Sequence, residues 1–199
     1  MKNIRAFIAV DYPASVKQTL LTHIRQGKKL IDSTWVRWVP ESNMHLTLKF
    51  LGEVEQKQLD TLTGLLKELG AQYEPFALTV SGQGVFPNPR RPRILWIGAE
   101  ECPTLTHLAA DIDQAAAKIS IPPEERGFTP HLTIGRVAKD LPDETLAKLA
   151  ALYGRLQIKE LGRFTVDHIT LYQSSLLPEG PKYTPLAVIP LAKPVQTVS

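Results

Sequence analysis

Short β-rich runs and stretches with apolar residues at helical spacing alternate along the chain. Residues 4–10 (IRAFIAV) predict a strand bounded by Asp11-Tyr12-Pro13. From Pro13 to about Ile31, the positions of Val16, Leu20, Ile24 and Leu30 predict one face of a helix. Residues 34–39 predict a short strand ended by Pro40, and 44–51 (MHLTLKFL) a strand closed by Gly52. A second helix is expected over 55–69, where Leu59, Leu62, Leu66 and Leu69 recur, then a strand at 75–81 and a loop from Gly82 to Pro92.

The same order then returns. Strand 93–99 (RILWIGA) precedes a helix over 104–119, with Leu105, Leu108, Ile112 and Ala116 on its face. Strand 130–137 (PHLTIGRV), helix 142–153 and strand 161–173 follow. A final strand near 183–191 contains Pro185 and Pro190, which suits a sheet edge. Both halves read strand, helix, His-Leu-Thr-apolar strand, helix, strand. The period, 86 positions from 45 to 131, is too long for a solenoid unit. The expected architecture is α+β: one domain over 1–199 made of two pseudo-symmetric lobes, from repeats of approximately 4–81 and 93–173. Each lobe is expected to be an antiparallel sheet with helices packed outside, and a cleft to lie between them.

The repeated tetrapeptide carries the chemistry. In His45-Leu46-Thr47-Leu48 and His131-Leu132-Thr133-Ile134, strand alternation sends each His and Thr to one face and the apolar pair to the other. A pseudo-two-fold brings both histidines to one cleft from opposite sides. Histidine titrates near neutral pH, so one ring can take a proton from water while the other gives one to a leaving oxygen. The threonine hydroxyls can donate to oxygens on a phosphorus held between the rings. No carboxylate lies within two residues of either motif, which argues against a metallophosphoesterase.

Composition narrows the classes. The 43% hydrophobic and 22% charged residues describe a globular chain rather than a disordered one. A single cysteine, Cys102, excludes an internal disulfide and a cysteine zinc cluster. The start lacks signal-peptide regions and no apolar run approaches the roughly 20 residues that span a bilayer, so a cytoplasmic location without membrane partners is expected. The net charge of +3 suits a small anionic substrate or an RNA end better than a long nucleic-acid track.

Paired His-x-Thr-x motifs in a duplicated α+β chain resemble the two-histidine (2H) phosphoesterase superfamily. The flanks Arg37-Trp38-Val39-Pro40, Lys49-Phe50-Leu51-Gly52 and Pro92-Arg93-Ile94-Leu95-Trp96 resemble in particular its RNA 2',3'-cyclic phosphodiesterases, also called 2'-5' RNA ligases. The similarity runs from about Arg5 to Leu191. It implies a bilobal fold that hydrolyses the 2',3'-cyclic phosphate ends of RNA to 2'-phosphates, with no metal and no cofactor. It also implies that His45 donates to the departing 3'-oxygen, that His131 activates water, and that Thr47 and Thr133 hold the phosphate. It further implies reversible joining of RNA ends through a 2'-5' bond at the same site. Two other readings keep the fold. One is a phosphodiesterase acting on 2',5'-linked oligonucleotides or cyclic nucleotide-sugar phosphates. The other is a non-catalytic module that binds RNA ends.

Other residues are weighed against packing. Arg136 is a phosphate contact only if a bulge near Gly135 turns it to the face of His131. Lys49 shares the face of His45 under strict alternation and adds positive charge there, whereas Phe50 alternates to the core. Trp38, Trp96 and Phe128 are candidates to stack on a base, with core packing the alternative. The loop Pro89-Arg90-Arg91-Pro92-Arg93 is a candidate RNA-backbone contact or a solvated loop. His23 and His107 are expected on helix surfaces, and His168 in a structural role.

Overall fold

A computed structural model describes residues 3–125, 127–178 and 180–192. The elements run β1 (Ile4–Asp11), α1 (Ala14–Leu30), β2 (Val36–Trp38), β3 (His45–Val54), α2 (Gln56–Gly70), β4 (Phe76–Phe86), β5 (Ile94–Ala99), α3 (Pro103–Ala117), β6 (His131–Val137), α4 (Asp143–Gly154), β7 (Glu160–Val166), β8 (His168–Leu177) and β9 (Gly180–Pro190). The fold is α+β, with two antiparallel sheets ordered β3-β1-β8-β9 and β2-β6-β5-β4-β7. Helices α2 and α3 pack on the first sheet, α1 and α4 on the second. Among the described residues no helix is long and apolar enough to cross a membrane.

The sheets do not coincide with the sequence halves. The first half sends β1 and β3 to one sheet but β2 and β4 to the other. The second half keeps β5, β6 and β7 together and returns β8 and β9 to the first sheet. The expected single strand over 161–173 is therefore two strands in two sheets, broken at Asp167, whose carbonyl accepts from the N–H of Leu191. The first helix of each half also packs on the sheet that holds the other half's motif.

Local patterns explain most elements. Val16, Leu20, Ile24 and Gly27 form the buried stripe of α1, continued by Ile31. Leu30, expected on that stripe, lies about 240° around the helix from Ile24 and is exposed. Strand β4 runs on through Phe86, where a loop from Gly82 was expected. Gly82, with φ of 72°, lies at a break in the pairing with β5 rather than ending the strand. Gly84 accommodates the indole of Trp96, which a Cβ would meet at 2.2 Å. Prolines 185 and 190 lie on β9, an edge strand as their spacing predicts.

Two bulges decide what faces the cleft. In β3, Thr47 pairs with Ala9 and Lys49 with Ile8, so Leu48 is an extra residue. In β6, Thr133 pairs with Trp96 and Gly135 with Leu95, so Ile134 is extra. Each bulge shifts the alternation by one position. Lys49 and Gly135 become buried, and Phe50 and Arg136 become exposed. This corrects the expectation for both Lys49 and Phe50. Gly52 lies at a further register shift within β3 and does not close the strand.

Lys49 is 3% exposed. Its ammonium pairs with Asp113 on α3 and donates to the Pro122 carbonyl at 2.8 Å. It joins a strand of the first half to a helix and loop of the second. Lys49→Met is expected to lower the unfolding free energy by about 3 kcal/mol, because one partner of a buried pair is removed. Urea unfolding of the two proteins checks this, and an unchanged midpoint would remove the staple.

Candidate active site

Residues of both sheets enclose a cleft of about 930 Å³. His45, Thr47 and Phe50 of β3 line it from one side, and His131, Thr133 and Arg136 of β6 from the other. Strands β1, β8 and β9 complete the first wall with Arg5, Phe7, Ser174 and Tyr183. The bulge at Ile134 supplies the turn that Arg136 needed. All four motif side chains are half-buried, reachable yet partly shielded from water.

The two imidazoles are held differently. His131 Nδ1 lies 2.8 Å from the carbonyl of Thr129. A carbonyl only accepts, so Nδ1 carries the proton and Nε2 of the neutral ring is left with a free lone pair. Phe86 meets this ring edge-on at 5.0 Å. His45 stacks on Phe7 at 4.7 Å and meets Tyr183 edge-on at 5.0 Å. Burial among these rings lowers its pKa to about 4, against the opposing pull of Asp11 and of the Asn43 backbone. That shift favours the uncharged ring of His45.

Asp11 sits opposite His45 in the β1–β3 ladder. Its carboxylate accepts from Thr170 and Tyr172, each at 2.8 Å. His168 Nε2 lies 3.8 Å from the same carboxylate, and its Nδ1 lies 2.6 Å from Asp167. His168 is thus part of the scaffold that holds Asp11.

Positive charge converges on the cleft from both sheets. Arg5, Arg37, Arg136 and Lys182 line it, and Arg37 pairs with Arg136 across β2 and β6. Burial raises the pKa of the Tyr183 phenol, and Arg136 and Arg5 oppose that rise. Guanidinium groups from different sheets therefore bear on one hydroxyl. Among the described residues no group of three or more His, Cys, Asp or Glu is arranged to hold a metal ion.

Several expected residues lie elsewhere. Lys49 points into the core. Trp96 meets His131 at 6.5 Å but lies over Gly84 and is not among the lining residues. Phe128 packs against the hydrophobic core. Trp38 does line the cleft, yet its indole abuts Gly27 and Gly135. Arg93 donates to the carbonyls of Ala138 and Lys139 at 3.2 and 2.7 Å, fastening its loop to the chain beyond β6. Arg90 and Arg91 are exposed and do not line the cleft. Sequence reasoning missed Arg5, Phe7, Asp11, Arg37, Asn43 and Tyr183. Alternation along β1 puts Arg5 and Phe7 on one face, but nothing local in sequence ties that face to His45.

Residues 12–176 match the family model described as the 2'-5' RNA ligase superfamily. The chain belongs to that superfamily. It is 37% identical to the RNA 2',3'-cyclic phosphodiesterase of Methanothermobacter thermautotrophicus, over 94% of this chain and 99% of that protein. It is 35% identical to the protein of the same name from Aquifex aeolicus, over 92% and 95%. The apo crystal structure of E. coli LigT superposes with a TM-score of 0.75 at 28% identity, covering 97% of this chain and 100% of that one.

Asp11 holds the His45 pKa up, so removing its charge disfavours the imidazolium further. Asp11→Asn is expected to move the His45 titration below that of the unmodified protein. NMR of the ring resonances against pH checks this, and an equal or higher midpoint would remove Asp11 from the site's electrostatics.

Proposed function

We propose that this protein hydrolyses 2',3'-cyclic phosphate ends of RNA to 2'-phosphates by metal-independent acid–base catalysis. The observation that carries the reading is the convergence of His45, Thr47, His131 and Thr133 on one basic cleft from two sheets. The shared name of the relatives from Methanothermobacter and Aquifex supports the substrate class.

His131 is the base. Its Nε2 takes a proton from water as the water oxygen attacks phosphorus. The P–O3' bond breaks on the opposite side, and His45 gives its proton to the departing 3'-oxygen. The products are a 2'-phosphate and a 3'-hydroxyl, and the rings exchange protons with solvent before the next turnover. The hydroxyls of Thr47 and Thr133 and the guanidinium of Arg136 donate to the non-bridging oxygens, where charge gathers in the transition state.

The lowered pKa of His45 fits this scheme through the substrate's own charge. An anion within a few ångströms favours the imidazolium and opposes the effect of burial. The donor is thus charged chiefly when phosphate is present. With a 5'-hydroxyl in place of water, the same attack on the cyclic phosphate breaks the P–O3' bond and leaves a 2'-5' phosphodiester and a 3'-hydroxyl, the ligation in the superfamily's name.

With EDTA present, the protein is expected to open the cyclic phosphate of an RNA end and leave the phosphate on the 2'-oxygen. His45→Ala and His131→Ala should each lower kcat by about 10²–10⁴-fold. Product chromatography reads both, and absence of ring opening in the unmodified protein would end the proposal. Saturating adenosine 2'-phosphate should also raise the His45 titration midpoint by NMR. A midpoint that the ligand leaves unchanged would oppose the donor role.

A further inference from the structure

We propose that Arg5, Ser174 and Tyr183 form a second phosphate subsite in the cleft, which holds the 5'-phosphate of the nucleotide whose 2',3'-cyclic phosphate reacts. The proposal rests on the phosphoesterase reading and names what sets an RNA end apart from a free cyclic mononucleotide.

The three side chains come from neighbouring strands of the first sheet. Its order places β8 between β1 and β9, and Ser174 pairs with Tyr183 across the β8–β9 ladder. Ala6 pairs with Gln173, which brings Arg5 of β1 beside Ser174 of β8. All three residues line the cleft. The proposed acid–base steps use none of them.

The patch has donors to spare. Among the described residues the side chains of Arg5, Ser174 and Tyr183 have no hydrogen-bond or ion-pair partner. Glu53 stands opposite Arg5 in the β1–β3 ladder, yet the two form no ion pair. Arg5 and Arg136 also bear electrostatically on the Tyr183 phenol, one from each sheet. A guanidinium beside two hydroxyls supplies charge-assisted hydrogen bonds to the oxygens of an anion such as phosphate.

Its position separates the patch from the reacting phosphorus. The rings of Phe7 and His45 stack at 4.7 Å, and Arg5 lies two residues beyond Phe7 on the same strand. Two residues of strand advance about 7 Å, a step comparable to the spacing of successive phosphates in an extended RNA strand. The reacting phosphate meanwhile has donors of its own in Thr47, Thr133 and Arg136. The last nucleotide of an RNA carries two phosphates, the ring that reacts and the diester that links it to the nucleotide before. A free cyclic mononucleotide has only the first. The subsite therefore selects for ends of RNA chains, and it does so through charge rather than through the base.

Binding to the full chain tests the subsite apart from turnover. Calorimetry would compare adenosine 2'-phosphate with adenosine 2',5'-bisphosphate, which adds only the second phosphate. The unmodified protein should bind the bisphosphate about tenfold more tightly, as a hydrogen bond to a charged group provides. Arg5→Gln should cut that preference to about twofold or less. Tyr183→Phe, which keeps the ring against His45, should reduce it by a smaller factor. Arg90→Gln removes the same charge from an exposed loop outside the cleft and should keep the preference whole. No preference in the unmodified protein, or the same loss in Arg90→Gln as in Arg5→Gln, would overturn the proposal. Equal weakening of both ligands by Arg5→Gln would overturn it too, and would assign Arg5 to the reacting phosphate. A preference that persists without opening of any cyclic phosphate would support the subsite and tell against the hydrolytic reading alone.

Discussion

Alternation of side chains across a strand, broken just after the threonine of each motif strand, governs what this cleft contains. Without the extra residues Leu48 and Ile134, the rule that aims His45 and Thr47 into the cleft would aim Lys49 there as well. It would also turn Arg136 to the core side. The bulges reverse both outcomes. A lysine becomes an internal staple, an arginine joins the cleft-facing surface, and a phenylalanine is exposed. The two ladders make the same excursion at matching places, yet the residues that follow differ, so a symmetric frame yields a site with unlike sides.

This explains which parts of the site were legible in the sequence. His45, Thr47, His131 and Thr133 precede the bulges, so simple alternation placed them correctly. The expectations for Lys49 and Phe50 failed together, because one inserted residue inverts everything downstream until the next irregularity. The requirement for a bulge near Gly135 could be stated in advance, since Arg136 had a chemical reason to face the phosphate. No such reason pointed to Leu48. Asp11, Phe7 and Arg5 were out of reach for another cause. They meet His45 through strand pairing, and pairing partners far apart in sequence leave no local trace.

The fold's outline was legible through periodicity, as the stripes of α1 to α4 and the prolines of β9 illustrate. The exchange of strands between sheets was not. Residues 161–173 read as one run of β-rich sequence, and nothing in that run distinguishes a continuous strand from two strands that part at Asp167. The four motif side chains nevertheless converge as the repeat suggested, because β3 and β6 sit on facing edges of the cleft whichever half supplies the remaining strands.

The exchange has a consequence for how the interior of such a chain can close. A lone first half would carry α1 and β4 with no sheet to cover or complete, since both belong to the second sheet. A lone second half would keep the β8–β9 hairpin but leave α3 without β3, the strand it packs on. The smallest unit of this architecture that closes its own interior is therefore a pair of halves. Covalent linkage of the two halves thus makes the closure of this interior intramolecular rather than dependent on concentration.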